Sequence, residues 1–354
     1  MLPEQWDIFK RAARLTHPQP VPMALIVDSP WIPGYLGISH LDYYLDPELW
    51  FQSNLKIVNE YPGIIFAPGF WMEYGMAAEP SVLGAKIKFW KDATPSVSHT
   101  LQRLEDVDQI ASYEIEADGF AALTLHRIAE QRRRVLDTGH ILPIVTARGP
   151  MCTAAFVRGT TTFMMDLAEN PEGAHKLLDL STRLVIDWLK AQHRAMGDTV
   201  EGIFILDDIV GFVNRRYYRE FAHPYLTRVC EAFPKDWIKI YHNDAEINAC
   251  LDHLPDCGFH VLNWGKQRDI ADVKRRVGGR MCLMGNVNPL EIGVRGTPGE
   301  VRAETLRVLE ASGGEGIILS VGGGVSPGMP RENILAMQTA LHEFNRVHTG
   351  ISQL

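Results

Sequence analysis

The sequence predicts a single (β/α)8 barrel, on three observations. Short apolar runs of buried-strand type recur eight times, and amphipathic helical segments separate them. Nearly every run stops abruptly on a polar or aromatic side chain, while the opposite ends carry ordinary turn residues. The composition, 46% hydrophobic and 22% charged over 354 residues, supports one large core. We expect an N-terminal helical extension over 1–20 and the barrel over 21–354.

In chain order, Gln5 to Leu15 reads as an amphipathic helix, followed by a Pro-rich link at 17–22. Met23 to Val27 is the first strand, ending on Asp28. Asp46-Pro47-Glu48 combines an N-cap, a proline at the first helical position and an early acid, and starts a helix reaching Tyr61. Gly63 to Phe66 is the second strand, and the aromatic loop Pro68 to Gly75 follows it. Leu83 to Trp90 and Pro95 to His99 read as an excursion of exposed strands. A helix over Ala121 to Leu136 leads to the third strand, Ile141 to Val145, and a loop from Arg148 to Thr153. Further helices span Thr160 to Ala168 and Asn170 to about His193. The fourth strand, Gly202 to Leu206, ends on Asp207-Asp208; the helix Tyr217 to Ala232 comes next.

The fifth strand is the centre of the reading. In Trp237-Ile-Lys-Ile-Tyr-His-Asn-Asp-Ala245, His242 and Asp244 lie two apart and leave the same face of an extended chain. An imidazole beside a carboxylate binds a metal or acts as an acid–base pair. The same spacing also describes a capping Asp beside a hydrogen-bonded core His. The last three strands run over Gly258 to Leu262, ending on Asn263-Trp264; Arg280 to Met284, ending on Gly285-Asn286; and Gly316 to Ser320, ending in three glycines. Thr297-Pro-Gly-Glu300 is a capping box, and Pro330 opens the last helix.

Several side chains at the strand ends are candidates. Of Asp207 and Asp208 at most one faces the barrel axis, and the other reading is a cap for the Asn214 to Ala232 region. Glu73, among Phe70, Trp71 and Tyr74, suits a general acid, or is a solvated loop acid. Cys282 is an inert core thiol or a metal ligand. The glycines around Gly323 let an anion approach the backbone, without nucleotide-binding spacing.

The net charge of −8 and pI near 5.9 exclude a basic nucleic-acid-binding surface. Five cysteines without CxxC spacing indicate free thiols, and no signal sequence or spanning segment is evident, so a cytoplasmic protein is expected.

The stretches Met284-Gly-Asn-Val-Asn-Pro289 and Leu319 through Asn333, with Asp207-Asp208-Ile-Val-Gly-Phe212, Tyr217 and Phe221, resemble the uroporphyrinogen decarboxylase superfamily. The likeness runs from about Val21 to the end. The decarboxylases themselves grip a polyanionic tetrapyrrole with an arginine-rich segment after the first strand and an aspartate after the second. Here Asp28-Ser-Pro-Trp-Ile-Pro-Gly34 holds no arginine, and Pro68 stands where the acid belongs. Tetrapyrrole decarboxylation is therefore rejected.

The remaining resemblance is to the corrinoid-linked methyltransferases, whose zinc site uses a His-x-Cys on the fifth strand and a second Cys in the last glycine loop. His242 matches; Asp244 and Gly323 replace the two thiols. The resemblance implies zinc as a candidate cofactor, on His242 and Asp244 with Cys282 (or Glu73 or Asp208) as third ligand. Loss of both thiolates disfavours a thiol acceptor and favours an oxygen- or amine-bound methyl donor. The implied function is methyl transfer from a small methoxylated aromatic donor to the corrinoid of a separate partner protein, by a homodimeric enzyme. Asp28, Trp31, Tyr35, Phe70, Trp71, Tyr74, Asn243, Asn263, Trp264 and Gly323 would line the donor pocket, with His242, Asp244, Asp208 and Glu73 catalytic. A metal-free lyase or decarboxylase of small acids, using His242 and Asp208, is the alternative.

Overall fold

A computed structural model describes residues 1–16, 20–27 and 30–349. The chain opens with α1 (Pro3–Ala13), β1 (Ala24–Leu25), α2 (Ile32–Leu36), α3 (His40–Leu45), α4 (Pro47–Glu60) and β2 (Ile65–Phe66). An excursion follows: α5 (Ala78–Val82) and the antiparallel pair β3 (Ile87–Lys88) and β4 (Ser96–Val97). The run α6 (Gly119–Asp137), β5 (Ile144–Arg148), α7 (Pro150–Arg158), α8 (Thr160–Glu169), α9 (Pro171–Met196) and β6 (Gly202–Leu206) returns to the barrel. Then α10 (Arg215–Tyr217) passes through a π-helical turn into α11 (His223–Glu231), ahead of β7 (Ile238–Asn243) and β8 (Val261–Trp264). The chain ends with α12 (Ile270–Val277), β9 (Cys282–Val287), α13 (Pro298–Ser312), β10 (Ile317–Val321) and α14 (Arg331–Thr349).

Eight parallel strands form the ring. β5 to β10 pair in sequence order, β1 pairs with β2, and a parallel bridge from Met23 to Leu319 ties β1 to β10. No ladder joins β2 to β5 among the described residues; Trp71 packs beside this seam against Phe204 of β6. Alternate residues of all eight strands meet in one buried cluster: Ala24 and Ile26, Ile65 and Ala67, Ile144, Phe204, Ile238 and Ile240, Val261, Cys282 and Met284, Ile318. A period of two shared by eight strands around one cluster is the interior of a (β/α)8 barrel. Trp6 and Phe9 of α1 join that cluster from below, and Trp6 packs at Gly202 where β6 begins. The N-terminal helix is thus the floor of the barrel.

Local signals explain the helices. Asp46 accepts from Glu48 and Leu49 N–H at the start of α4, and Thr297 and Glu300 close the capping box of α13. Several strands sit later than their apolar runs suggest. β5 starts after Pro143, which has no N–H to give a ladder. β7, β8 and β9 carry their pairing through His242, Asn263 and Asn286. Polar residues at the mouth are ladder members, although a hydrophobic pattern ends before them.

Candidate functional site

Alternation fixes what the barrel mouth contains. Because Ile144, Ile240, Val261, Met284 and Ile318 point inward, so do Thr146 and Arg148, His242, Asn263, Asn286 and Ser320 above them. A polar layer therefore lies on an apolar plug.

His242 is 5% exposed and is held from both sides. Asn263 donates its amide N–H to Met284 O (2.8 Å) and Val321 O (3.3 Å), which settles the amide orientation. Its Oδ1 then faces His242 Nδ1 at 2.7 Å, so Nδ1 carries the proton and donates. Nε2 points the other way, 3.5 Å from Asp244 Oδ2 and 3.9 Å from Asp208 Oδ1. Burial alone would depress this imidazole. The Asp244 carboxylate, then Asp208 and the Asn263 bond, override it and raise its pKa to about 9. Burial acts on Asp244 as well, but the imidazolium holds its carboxyl below the usual range. His242 therefore keeps its second proton at neutral pH, on the side that faces Asp244 and Asp208. Phe204 meets the ring edge-on at 6.1 Å.

Asp244 is placed by backbone as much as by charge. Its N–H donates to Asp208 Oδ1 at 2.6 Å. Gly323, with φ +92°, lies against its carboxylate, and a β-carbon there would overlap Oδ1. The carboxylate takes the room that a side chain at 323 would need.

The remaining candidates are placed as follows. Asp207 is fully buried and accepts from Met151 and Cys152 N–H, capping α7 rather than the later helix, and burial pushes its pKa up to about 7. Asn243 braces the turn by donating to Asp207 O and accepting from Ala245 N–H. Trp264 is 1% exposed, packed at Gly285 on the outer face with its N–H given to Arg268 O. Phe70 packs against Trp50, Phe51 and His140. Trp31 stacks on Tyr35 and donates to Met329 O, and the Tyr35 hydroxyl donates to Glu60. Tyr74 sits among Tyr44, Phe89 and Phe120. Trp31, Phe70 and Trp264 are therefore core rings and not the open wall expected of them, because each has a complete set of packing partners. Trp71 is the ring that reaches the polar layer, 5.7 Å below the Arg148 guanidinium. Asp28 lies outside the described residues.

Glu73 reaches Arg148, with Oε2 3.7 Å from Nη2. The sequence places Arg148 at the rim, in the loop after the third strand, without giving it a role. Its signal was available: four residues after the inward-facing Ile144, it shares that face once the strand is started after Pro143.

The expected zinc set of His242, Asp244 and Cys282 is not assembled. Cys282 belongs to the apolar plug, where burial pushes its thiol up to about 12, and it pairs with Val261, a full side-chain period below Asn263. Among the described residues no group of three His, Cys, Asp or Glu side chains is placed to share an ion. The residues do not fit zinc.

The uroporphyrinogen decarboxylase family matches residues 33–344. The chain belongs to that family. It is 25% identical over 281 residues to the uroporphyrinogen decarboxylase of Pseudoalteromonas translucida, covering 75% of this chain and 76% of that protein. The enzyme of the same name from Methylococcus capsulatus is 25% identical over 327 residues, 87% of each chain. Among solved structures, a methyltransferase from Methanosarcina mazei superposes with a TM-score of 0.81 at 21% identity, covering 96% of this chain and 98% of that one. A B12-independent methionine synthase from Shewanella superposes with a TM-score of 0.55 at 11% identity, covering 92% and 97%. Within the family, this chain is not a true uroporphyrinogen decarboxylase. Its mouth offers Arg148 beside Glu73 and Glu79, with Asp208 and Asp244 nearby, a poor receptor for a polyanion.

Proposed function

We propose that this protein is a methyltransferase that takes the methyl group of a small methoxylated aromatic donor and passes it to a corrinoid carried by a partner protein. One observation carries the reading: Asn263 Oδ1 holds His242 Nδ1 at 2.7 Å, which turns Nε2 toward Asp244 and Asp208, whose charge raises the ring's pKa to about 9. Breaking an aryl methyl ether places negative charge on the departing oxygen. A proton held at Nε2 answers that charge as a general acid. Asp244 and Asp208 keep the ring charged until transfer, and Asn263 keeps it oriented. The corrinoid, as acceptor, supplies a nucleophilic cobalt for the methyl group. The family membership and the shared methyltransferase fold support this class.

The test is methyl transfer from a panel of methoxyarenes to free or protein-bound cob(I)alamin, followed by absorbance. We expect turnover that falls by about 10²–10⁴-fold in His242→Gln. An absence of methylated corrinoid across the panel would sink the reading. The rival, a metal-free lyase or decarboxylase of a small acid, uses the same imidazolium to protonate a carbanion. It predicts carbon dioxide or an alkene from acids offered without corrinoid.

A further inference from the structure

Asp207 joins three elements at one point. α7 opens on Gly149, which has no side chain to cap the helix with, and the Asp207 carboxylate reaches across from the end of β6 to do so. Its Oδ1 accepts from Cys152 N–H at 2.8 Å and its Oδ2 from Met151 N–H at 3.2 Å. Gly149 leaves the room: a β-carbon there would stand 2.2 Å from Oδ2, although a φ of −71° suits any residue. The Asp207 peptide grips the other side. Its N–H donates to His242 O at 3.1 Å, and its carbonyl accepts from Asn243 Nδ2 at 3.0 Å and from the Tyr241 hydroxyl at 3.3 Å.

The next residue belongs to the acid–base site. Asp208 Oδ1 accepts from Asp244 N–H at 2.6 Å and lies 3.9 Å from His242 Nε2. Asp207 is clamped by side chain on α7 and by main chain on β7, so the direction in which Asp208 leaves the strand is set by its neighbour.

This cap is a costly one. Asp207 is fully buried, and the titratable groups around it are Asp208, the Cys152 and Cys250 thiols and the Tyr241 hydroxyl. Burial pushes its carboxyl up, so the ionised form weighs against folding. A helix cap alone needs no charge, since serine or asparagine caps as well. A buried acid kept at the expense of stability points to a part in function.

We propose that Asp207 is a positioning residue of the acid site: by tying α7 to the end of β7 it fixes Asp208, and through the Asp208–Asp244 bond it holds Asp244 against His242. The placement stands on these contacts; its effect on turnover alone rests on the methyl-transfer reading.

Amide hydrogen exchange of the full chain, followed by NMR, tests it without turnover. Asp207→Asn keeps the shape but turns an amide NH2 toward one of the two helix N–H groups. Gly149→Ala pushes the carboxylate away with no backbone strain, and carries the test if Asp207→Asn does not fold. We expect exchange at the Asp244 N–H to quicken about tenfold or more in either variant, with the amides of β8 to β10 still protected. Asp207→Asn should unfold at no lower urea concentration than the unaltered protein. An unchanged Asp244 amide overturns the proposal. So does a loss of protection shared by β8 to β10 with a lowered urea midpoint, which would leave Asp207 a cap and nothing more. In methyl transfer, kcat should fall about tenfold with KM unmoved. A quickened Asp244 amide in a protein that transfers no methyl group keeps the positioning role and removes the assigned reaction.

Discussion

Gly323 and Asp244 compete for one volume: the carboxylate of Asp244 fills the place where a β-carbon at 323 would sit. A side chain at 323 therefore requires Asp244 to move. Gly323→Ala has to move Asp244 and also meets a left-handed backbone at φ +92°. We expect turnover to drop about tenfold or more. The basic limb of the pH–rate profile should move to lower pH, since His242 loses its first carboxylate. A Gly323→Ala enzyme with an unchanged limb would mean that Asp244 does not set the imidazole.

The same pair predicts a pH dependence with a definite sign. His242 is held above its ordinary value, so its ion pairs contribute stability in full below about 6.5. That contribution is lost as pH rises through about 9, and general-acid turnover falls over the same range. Asp244 is depressed, so its share is present above the ordinary carboxylate range and lost as pH falls through its lowered value. Asp244→Asn should bring the imidazole down from about 9, read by NMR titration of the ring protons.

Asn263 acts through His242. Its amide is pinned by two carbonyls, so it offers Nδ1 an acceptor and nothing else. Asn263→Leu leaves the ring free to turn away from Asp244 and Asp208, and the Met284 carbonyl without its donor. We expect a fall in kcat of about 10–10²-fold with KM little changed, and a stability loss of about 1–3 kcal/mol in urea unfolding. A fall in KM-dependent terms alone would assign Asn263 to substrate binding.

Chelation separates a metal from an imidazolium. With Cys282 in the apolar plug and Gly323 bare, the acids beside His242 among the described residues are Asp244 and Asp208. Exhaustive dialysis against a chelator should leave turnover within about twofold of the untreated enzyme. A loss restored by zinc would reinstate the ion.

How much of this was legible in the residues depends on which signal each position carried. The eight strands and their polar ends follow from short apolar runs, and the His242–Asp244 pairing follows from the period of two. The aromatic wall did not follow, because hydrophobicity does not say which face of a strand a ring leaves. Trp264 and Asn263 are neighbours in sequence and lie on opposite sides of the sheet. Arg148 was hidden by one proline, since starting the strand before Pro143 places it in a loop. Cys282 was two residues from the rim by apolar pattern; the ladder extends past Gly285 and leaves the thiol deep.

The helix beneath the ring has a kinetic corollary. With Trp6 and Phe9 packed into one end, the polar layer lies at the other, the doorway of the barrel. Under the proposed reaction, the aromatic donor has to pass inside before the carrier protein seats itself over the opening, and the demethylated phenol cannot depart until that carrier lifts away. Turnover is thereby a queue with a compulsory order, and excess carrier should inhibit by standing in the doorway of an empty enzyme.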